Sequence, residues 1–178
     1  LAVGNPSVFI RKDFRESPDT AVHILLDSSG SMNDSGLMFA NAVCYAVGKA
    51  LQGISGVNLG ITAFPGANAA KRGATVVPVL RHGEKLTTRF PEIAYGMTPM
   101  AESLWWVMQR MCLLRENRKI ILIITDGEPD SIPTAQEAFK QAQKKGFECY
   151  GLGIMCSNIA PLLPHTSRVI ETLPQLAP

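Results

Sequence analysis

Two nearly continuous apolar runs, each ending on an aspartate, constrain the fold of this chain most strongly. The first covers residues 21–26 and ends on Asp27, and the second covers residues 119–125, includes Ile-Ile-Leu-Ile-Ile and ends on Asp126. Short apolar runs without polar alternation are typical of parallel strands that are buried on both faces of a sheet. Parallel strands need crossover connections, usually helices, so these runs predict an α/β protein.

Predicted helices and strands alternate along the rest of the chain, as such a fold requires. Amphipathic spacing predicts helices over residues 36–53, 100–114 and 133–145, and a short helix over residues 86–95 that is broken at Pro91. Further strands are predicted over residues 57–64, 75–80, 148–154 and 169–170, with Pro78 favouring an edge position for the second of these. We therefore predict a doubly wound, mostly parallel six-stranded sheet with helices on both faces, in which the two aspartate-terminated strands are central neighbours.

Size and composition fit a single domain and argue against nucleic-acid binding and a membrane-spanning helix. The chain has 178 residues, of which 46% are hydrophobic, and we assign residues 1–18 to an N-terminal extension and residues 19–178 to the domain. The formal net charge is +2 and the basic residues are scattered, so nucleic acid is not an expected partner. No apolar run approaches the roughly 20 residues that a membrane-spanning helix needs.

The cysteines and histidines do not form a zinc-binding pattern. The four cysteines show no Cys-x-x-Cys spacing, and the three histidines lie far from them in the sequence. Cys44, Cys112 and Cys149 are expected to be buried reduced thiols, which favours a reducing compartment and a cytoplasmic location. His23, inside the first apolar run, is expected to be a hydrogen-bonded histidine of the core or sheet edge.

Polar residues follow the two aspartate-terminated strands, where an open α/β sheet binds its ligands. Asp27-Ser28-Ser29-Gly30-Ser31 comes directly after the first strand, Asp126 directly after the second, and Thr98 ends the loop before the helix at residues 100–114. Carboxylate and hydroxyl oxygens are hard ligands that suit Mg²⁺ or Mn²⁺. Gly30 is expected to let the backbone turn so that the flanking hydroxyls point at one centre. The D-x-S-x-S motif alone also describes a turn with a helix cap.

The set Asp27, Ser29, Ser31, Thr98 and Asp126 resembles the metal-ion-dependent adhesion site of von Willebrand factor A domains. The resemblance covers residues 19–170 in element order and includes all five positions of that site. It implies that the three hydroxyls coordinate the ion and that the two aspartates bind it directly or through water. It also implies a non-catalytic domain in which a carboxylate from a partner protein completes the coordination shell. Glu128, Asn33 and Asp34 are expected to lie around this site or to adjust it, along with Pro65, Gly66 and residues 68–73. Asp130 could adjust the site in the same way as Glu128, although a solvated loop carboxylate is the favoured interpretation of both.

Within that family, residues 19–32 and the preceding segment with Phe9 and Phe14 are most similar to the C-terminal domain group of the cobaltochelatase T subunit. Domains of that group work beside AAA+ ATPases, so the resemblance implies an AAA+ ATPase as partner. The chain contains no G-x-x-x-x-G-K-[ST] pattern, so no ATP hydrolysis of its own is expected.

Two other functions stay open at this point. A metal-dependent phosphoryl-transfer enzyme would use Asp27 as nucleophile, although Ser29 stands where haloacid-dehalogenase-type phosphatases place a second aspartate. A serine hydrolase would need a G-x-S-x-G elbow, which the residues around Ser31 do not form. A structural interaction domain whose site is unused would share every feature named above.

Overall fold

The computed structural model describes residues 18–66 and 76–176. Its strands are β1 (Thr20–Asp27), β2 (Val57–Phe64), β3 (Val77–Leu80), β4 (Arg118–Thr125), β5 (Phe147–Ile154) and β6 (Ser167–Ile170). Its helices are α1 (Asn33–Gln52), α2 (Met100–Met111) and α3 (Ile132–Lys144), with short 3₁₀ turns at Gly30–Met32 and Leu173–Leu176. Nearly all of the predicted N-terminal extension and the loop at residues 68–73 lie outside the described residues.

The six strands form one sheet in the order β3-β2-β1-β4-β5-β6. Every pairing is parallel except that of β2 with β3, and Leu26 of β1 stands opposite Ile124 of β4. From β1 the chain winds outward to β3, and from β4 it winds outward to β6, so the winding direction reverses between β1 and β4. This reversal opens a crevice at the carboxyl ends of the two central strands. The predicted doubly wound, mostly parallel sheet is therefore confirmed.

The core has two layers because the central strands bury both faces. Ala21 and Leu25 of β1 pack on the side of α2 and α3, whereas Val22, Ile24 and Leu26 pack on the side of α1. Burying an aliphatic side chain of this size contributes about 1.5–3 kcal/mol, which is why neither face tolerates the polar alternation of a half-exposed strand. The helices on both faces are therefore needed to cover the sheet.

Several sequence predictions need correction. Residues 86–95 form no helix, because Pro91 disfavours the helical conformation at Phe90. Leu86 and Phe90 instead pack separately against the core on the α1 side. Cys112 was expected to be buried, but it follows the last turn of α2 and is exposed. The predicted edge position of β3, which contains Pro78, is confirmed because β3 pairs only with β2.

Two further findings concern features predicted from composition. All four cysteines are free thiols, and Cys44 and Cys149 are buried as expected. In the two ranges that the structure describes, no helix has the length and apolar character needed to cross a membrane.

Candidate metal centre

The loop between β1 and α1 presents its polar side chains at the central crevice. Asp27 is fully buried, and its Oδ1 atom accepts a hydrogen bond from the Ser29 amide at 2.8 Å. Ser29 Oγ lies 3.1 Å from Ser31 Oγ, and Ser31 Oγ donates to Asp126 Oδ1 at 2.8 Å. The hydroxyls of this loop therefore connect the end of β1 to the residue that follows β4.

The space beside Gly127 shows how closely the site residues converge. A Cβ atom placed on Gly127 would lie 3.1 Å from Ser31 Oγ, 3.6 Å from Thr98 Oγ1 and 3.9 Å from Asp27 Oδ2. Ser29 and Asp126 join this group through their contacts with Ser31. The structure thus brings all five predicted site residues into one cluster of oxygen atoms. A hard divalent cation fits this donor set of carboxylates and hydroxyls.

Backbone contacts hold the Thr98 loop against the β1–α1 loop. The Gly30 amide donates to the Gly96 carbonyl at 3.1 Å, and the Tyr95 amide donates to the Ser28 carbonyl at 3.0 Å. A Cβ on Gly30 would lie 3.3 Å from the Gly96 oxygen. Gly30 does not have a positive φ, so the requirement for glycine comes from this close approach rather than from the turn that the sequence suggested.

The two aspartates of the site are held in a poorly solvated environment. Burial raises the pKa of Asp27 to about 6, although hydrogen bonds from Thr125 and Ser29 oppose this rise. Burial also raises the pKa of Asp126, again against a hydrogen bond from Ser31. A cation beside these carboxylates would compensate their buried negative charge, which is a physical reason for the site to attract one.

The three residues predicted to surround the site have different surroundings. Asn33, with φ of 42°, uses its Oδ1 atom to accept hydrogen bonds from Ser35 Oγ and the Gly36 amide at the start of α1. Asp34 is exposed in the first turn of α1, and Glu128 is exposed in the loop after β4. None of the three makes a hydrogen bond to the five clustered residues among the contacts of the described chain.

Residues outside the five also support the cluster, and of these the sequence had indicated only Asp130 as one that could adjust the site. Thr125 donates its hydroxyl to Asp27 Oδ2, and Asp130 Oδ1 accepts from the Thr98 amide at 2.7 Å. The Asp126 carbonyl accepts from Cys156 Sγ at 2.7 Å and from Asn158 Nδ2 at 3.2 Å. Thr125 directly precedes Asp126 in the sequence, whereas Cys156 and Asn158 follow the end of β5. Their position at the same edge of the sheet is the only signal that could have suggested them.

Comparisons with known proteins place this arrangement in a family. The sequence model of the von Willebrand factor type A domain matches residues 21–177. No curated protein sequence matches the chain.

Solved structures share the fold at low sequence identity. The manganese-loaded TRAP protein of Plasmodium vivax has a TM-score of 0.67 and 15% identity, over 86% of this chain and 69% of that one. The pilus adhesin SpaC of Lactobacillus rhamnosus GG has a TM-score of 0.72 and 14% identity, over 89% and 28% of the two chains. Proximal thread matrix protein 1 of the mussel byssus, with a zinc-occupied MIDAS motif, has a TM-score of 0.60 and 11% identity, over 78% and 36%. The match therefore spans less than half of each of the last two proteins.

Proposed function

Because the chain belongs to the von Willebrand factor type A domain family, we propose that it is a protein-binding module that captures a partner carboxylate through a divalent cation. The observation that carries this proposal is the convergence of three hydroxyls and two carboxylates beside Gly127, at the carboxyl ends of β1 and β4. In this proposal Ser29, Ser31 and Thr98 bind the ion through their hydroxyl oxygens. Asp27 and Asp126 bind it directly or through water, and Mg²⁺ or Mn²⁺ is the expected ion.

A bound cation would act here as an electrophile that attracts a carboxylate. Ser31 is exposed while Asp27 and Ser29 are buried, so the cluster is closed on the protein side and open towards solvent. This asymmetry supports completion of the shell by a group from outside the chain. The manganese-loaded TRAP protein and the zinc-occupied MIDAS motif of the mussel byssus protein support a divalent ion as the occupant.

The contacts of Asp27 favour binding over phosphoryl transfer. One of its carboxylate oxygens accepts the Ser29 amide and the other accepts the Thr125 hydroxyl, and the side chain is fully buried. A nucleophilic carboxylate needs an open line of approach to the atom that it attacks. None of the three histidines supplies a base at the site, because His23 and His82 bond to each other and His165 is exposed outside the cluster.

A finer assignment of the partner is part of the same proposal. An AAA+ ATPase as partner, and a place in the cobaltochelatase T subunit group, follow only from the resemblance of residues 19–32 and their preceding segment. The four free thiols support a reducing, cytoplasmic setting.

Affinity capture in the presence and absence of the ion tests the proposed function. The immobilised domain is incubated with extract of its source cells in Mg²⁺, and retained proteins are eluted with EDTA. The proposal expects a partner that EDTA releases and that Asp126→Ala does not retain, whereas Asp34→Ala retains it. If Asp126→Ala or EDTA leaves the partner bound while the domain shows metal-dependent phosphatase turnover, the enzyme hypothesis replaces this one.

A further inference from the structure

An apolar groove adjoins the candidate metal centre on the β2–β3 side. It has a volume of about 610 Å³, and its walls include Ser28, Pro65, Val77, Phe90, Ile93 and Tyr95. We call the cleft that these six residues line the apical groove. Its volume lies within the roughly 300–1,000 Å³ that is usual for ligand-binding clefts.

The apical groove and the metal centre share the segment around Ser28, which lines the groove. This residue stands between Asp27 and Ser29 in the chain, so its Cα lies about 3.8 Å from those of both proposed ligands. Ser28 Oγ donates to the Phe64 carbonyl at 3.1 Å, and its amide donates to the same carbonyl at 2.7 Å. The groove and the metal centre are therefore neighbours along the loop that follows β1.

Hydrogen bonds hold the wall of the groove nearest the ion. The Tyr95 amide donates to the Ser28 carbonyl at 3.0 Å, and the Tyr95 hydroxyl donates to the Pro65 carbonyl at 3.4 Å. A groove whose walls are already fixed costs less to occupy than one that must be ordered on binding. This favours use of the groove as a preformed subsite.

Large apolar side chains are exposed along the groove and its border. Ile93 and Val77 of the groove wall are 68% and 38% exposed, and Met97, two residues after Tyr95, is 68% exposed. Exposed apolar side chains beside a polar centre are typical of a site that a partner covers. Arg89 and Glu92 also line the cleft and supply one charge of each sign, so the groove itself has no strong preference for a charged occupant.

We propose that the apical groove receives a large apolar side chain from the same partner segment whose carboxylate binds the ion. The recognised element would then be an acidic residue with a leucine- or phenylalanine-sized residue close to it in the sequence. This inference rests on the proposed function and adds the chemistry of the partner segment to it.

Synthetic peptides in a fixed background provide the probe. The reference is Gly-Gly-Asp-Gly-Gly-Gly, and in the test series one leucine replaces each glycine in turn. Binding is measured by NMR titration of the ¹⁵N-labelled protein in Mg²⁺ and again in EDTA. At the favoured position leucine should tighten binding about tenfold, as expected for burial of part of an aliphatic side chain. Amide shifts should then appear at Val77, Ile93 and Tyr95.

Variants separate the groove from the metal centre. Ile93→Glu should abolish the preference for leucine while leaving Mn²⁺ affinity unchanged, because Ile93 is not among the proposed ligands. Leu113→Glu, which alters a 79% exposed side chain just beyond α2, is the matched control and should keep the preference.

The outcomes distinguish failure of the groove from failure of the proposed function. Equal binding of the leucine and glycine peptides, or no binding of either, would overturn the groove proposal if Mn²⁺ still bound in an Asp27-dependent way. Concentration-dependent dimerisation that Ile93→Glu abolishes would assign the groove to a second copy of the chain and also overturn it. Failure of the wild-type protein to bind Mn²⁺ would overturn the proposed function itself.

Discussion

Burial and hydrogen bonding have opposite effects on the pKa of Asp27, the buried aspartate of the candidate centre. Burial raises the pKa of Asp27, whereas the hydrogen bonds from Thr125 and Ser29 favour its charged form. Each Asp27 oxygen accepts one hydrogen bond from the protein, and each carboxylate oxygen has a further lone pair. A cation at those lone pairs would stabilise the buried charge.

Asp130 provides a residue-scale test of how the Thr98 hydroxyl is positioned. Its carboxylate accepts the Thr98 amide, and its own amide donates to the Thr98 carbonyl at 3.0 Å. We expect Asp130→Ala to weaken Mn²⁺ binding by about tenfold, the lower end of the usual effect of losing a residue that orients a ligand. Isothermal titration calorimetry measures the change.

Glu128→Ala is the matched control for Asp130, because both carboxylates lie in the loop between β4 and α3. Glu128 is exposed and makes no hydrogen bond within the part of the chain that the structure describes. Its removal should change Mn²⁺ affinity by less than about twofold, consistent with the small effect of exposed charges. Equal losses in the two variants would contradict a positioning role for Asp130.

At this scale the sequence predicts types of residue better than their contacts. Asp27, Ser29, Ser31, Thr98 and Asp126 could be singled out because hydroxyls and carboxylates follow strands whose ends share one edge. The bond of Asp130 to Thr98 joins residues 32 positions apart in the chain. Nothing local in the sequence distinguishes Asp130 from the exposed Glu128, so its role emerges only from the packed loops.

At the scale of elements, a chain of hydrogen bonds links β1, β2 and the segment after β3. His23 Nε2 lies 2.8 Å from Thr62 Oγ1, His23 Nδ1 lies 3.0 Å from His82 Nε2, and His82 Nδ1 lies 3.2 Å from the Asn58 carbonyl. The carbonyl can only accept, so His82 Nδ1 donates to it and His82 Nε2 accepts from His23. Both rings are therefore satisfied as neutral imidazoles with fixed tautomers.

This histidine pair predicts a loss of stability in acid. Burial lowers the pKa of His23 to about 3 and also lowers the pKa of His82. Since the unfolded chain binds protons near pH 6.5 and the folded chain does not, stability should fall as the pH drops below about 6.5. For His23 the loss should reach about 1.4 kcal/mol at pH 5.5.

In the metal-free protein, protonation of Asp27 changes the stability in the opposite direction to protonation of the histidines. Its pKa is raised to about 6, so the folded state gains stability as the pH falls through that value. Imidazole NMR signals separate the two effects because they report on the histidines alone. His23 should remain neutral from pH 7.5 to 5.0, with its signals identified as those that disappear in His23→Gln. Protonation of His23 near pH 6.5 would contradict the assignment.

Elements were predictable where a single signal dominates. β1 and β4 are apolar on both faces, and α1 and α3 have clear amphipathic spacing, so these elements occur where expected, with only their ends displaced. Residues 86–95 contain apolar residues at helix-like spacing, but Pro91 interrupts them and each side chain finds its own place against the core. Helix-like spacing alone could not show whether residues 86–95 form a helix or an irregular segment.

For the whole molecule, we expect ion binding to stabilise the fold. Any ligand that binds only the folded state adds RT ln(1 + [L]/Kd), about 1.4 kcal/mol at ten times Kd. For a domain of this size this corresponds to a rise in Tm of about 3–5 °C. Differential scanning calorimetry in Mg²⁺ and EDTA should show that rise in the wild-type protein and none in Ser31→Ala. A rise of the same size in Ser31→Ala would place the stabilising ion elsewhere.

The most direct test of the proposed metal centre is a Mn²⁺ titration followed by electron paramagnetic resonance of the free ion. We expect one Mn²⁺ bound per chain, displaced by Mg²⁺, retained by Asp34→Ala and lost in Asp27→Ala and Asp126→Ala. Circular dichroism establishes that each variant is folded. Unchanged Mn²⁺ binding in folded Asp27→Ala and Asp126→Ala would contradict the proposed metal centre.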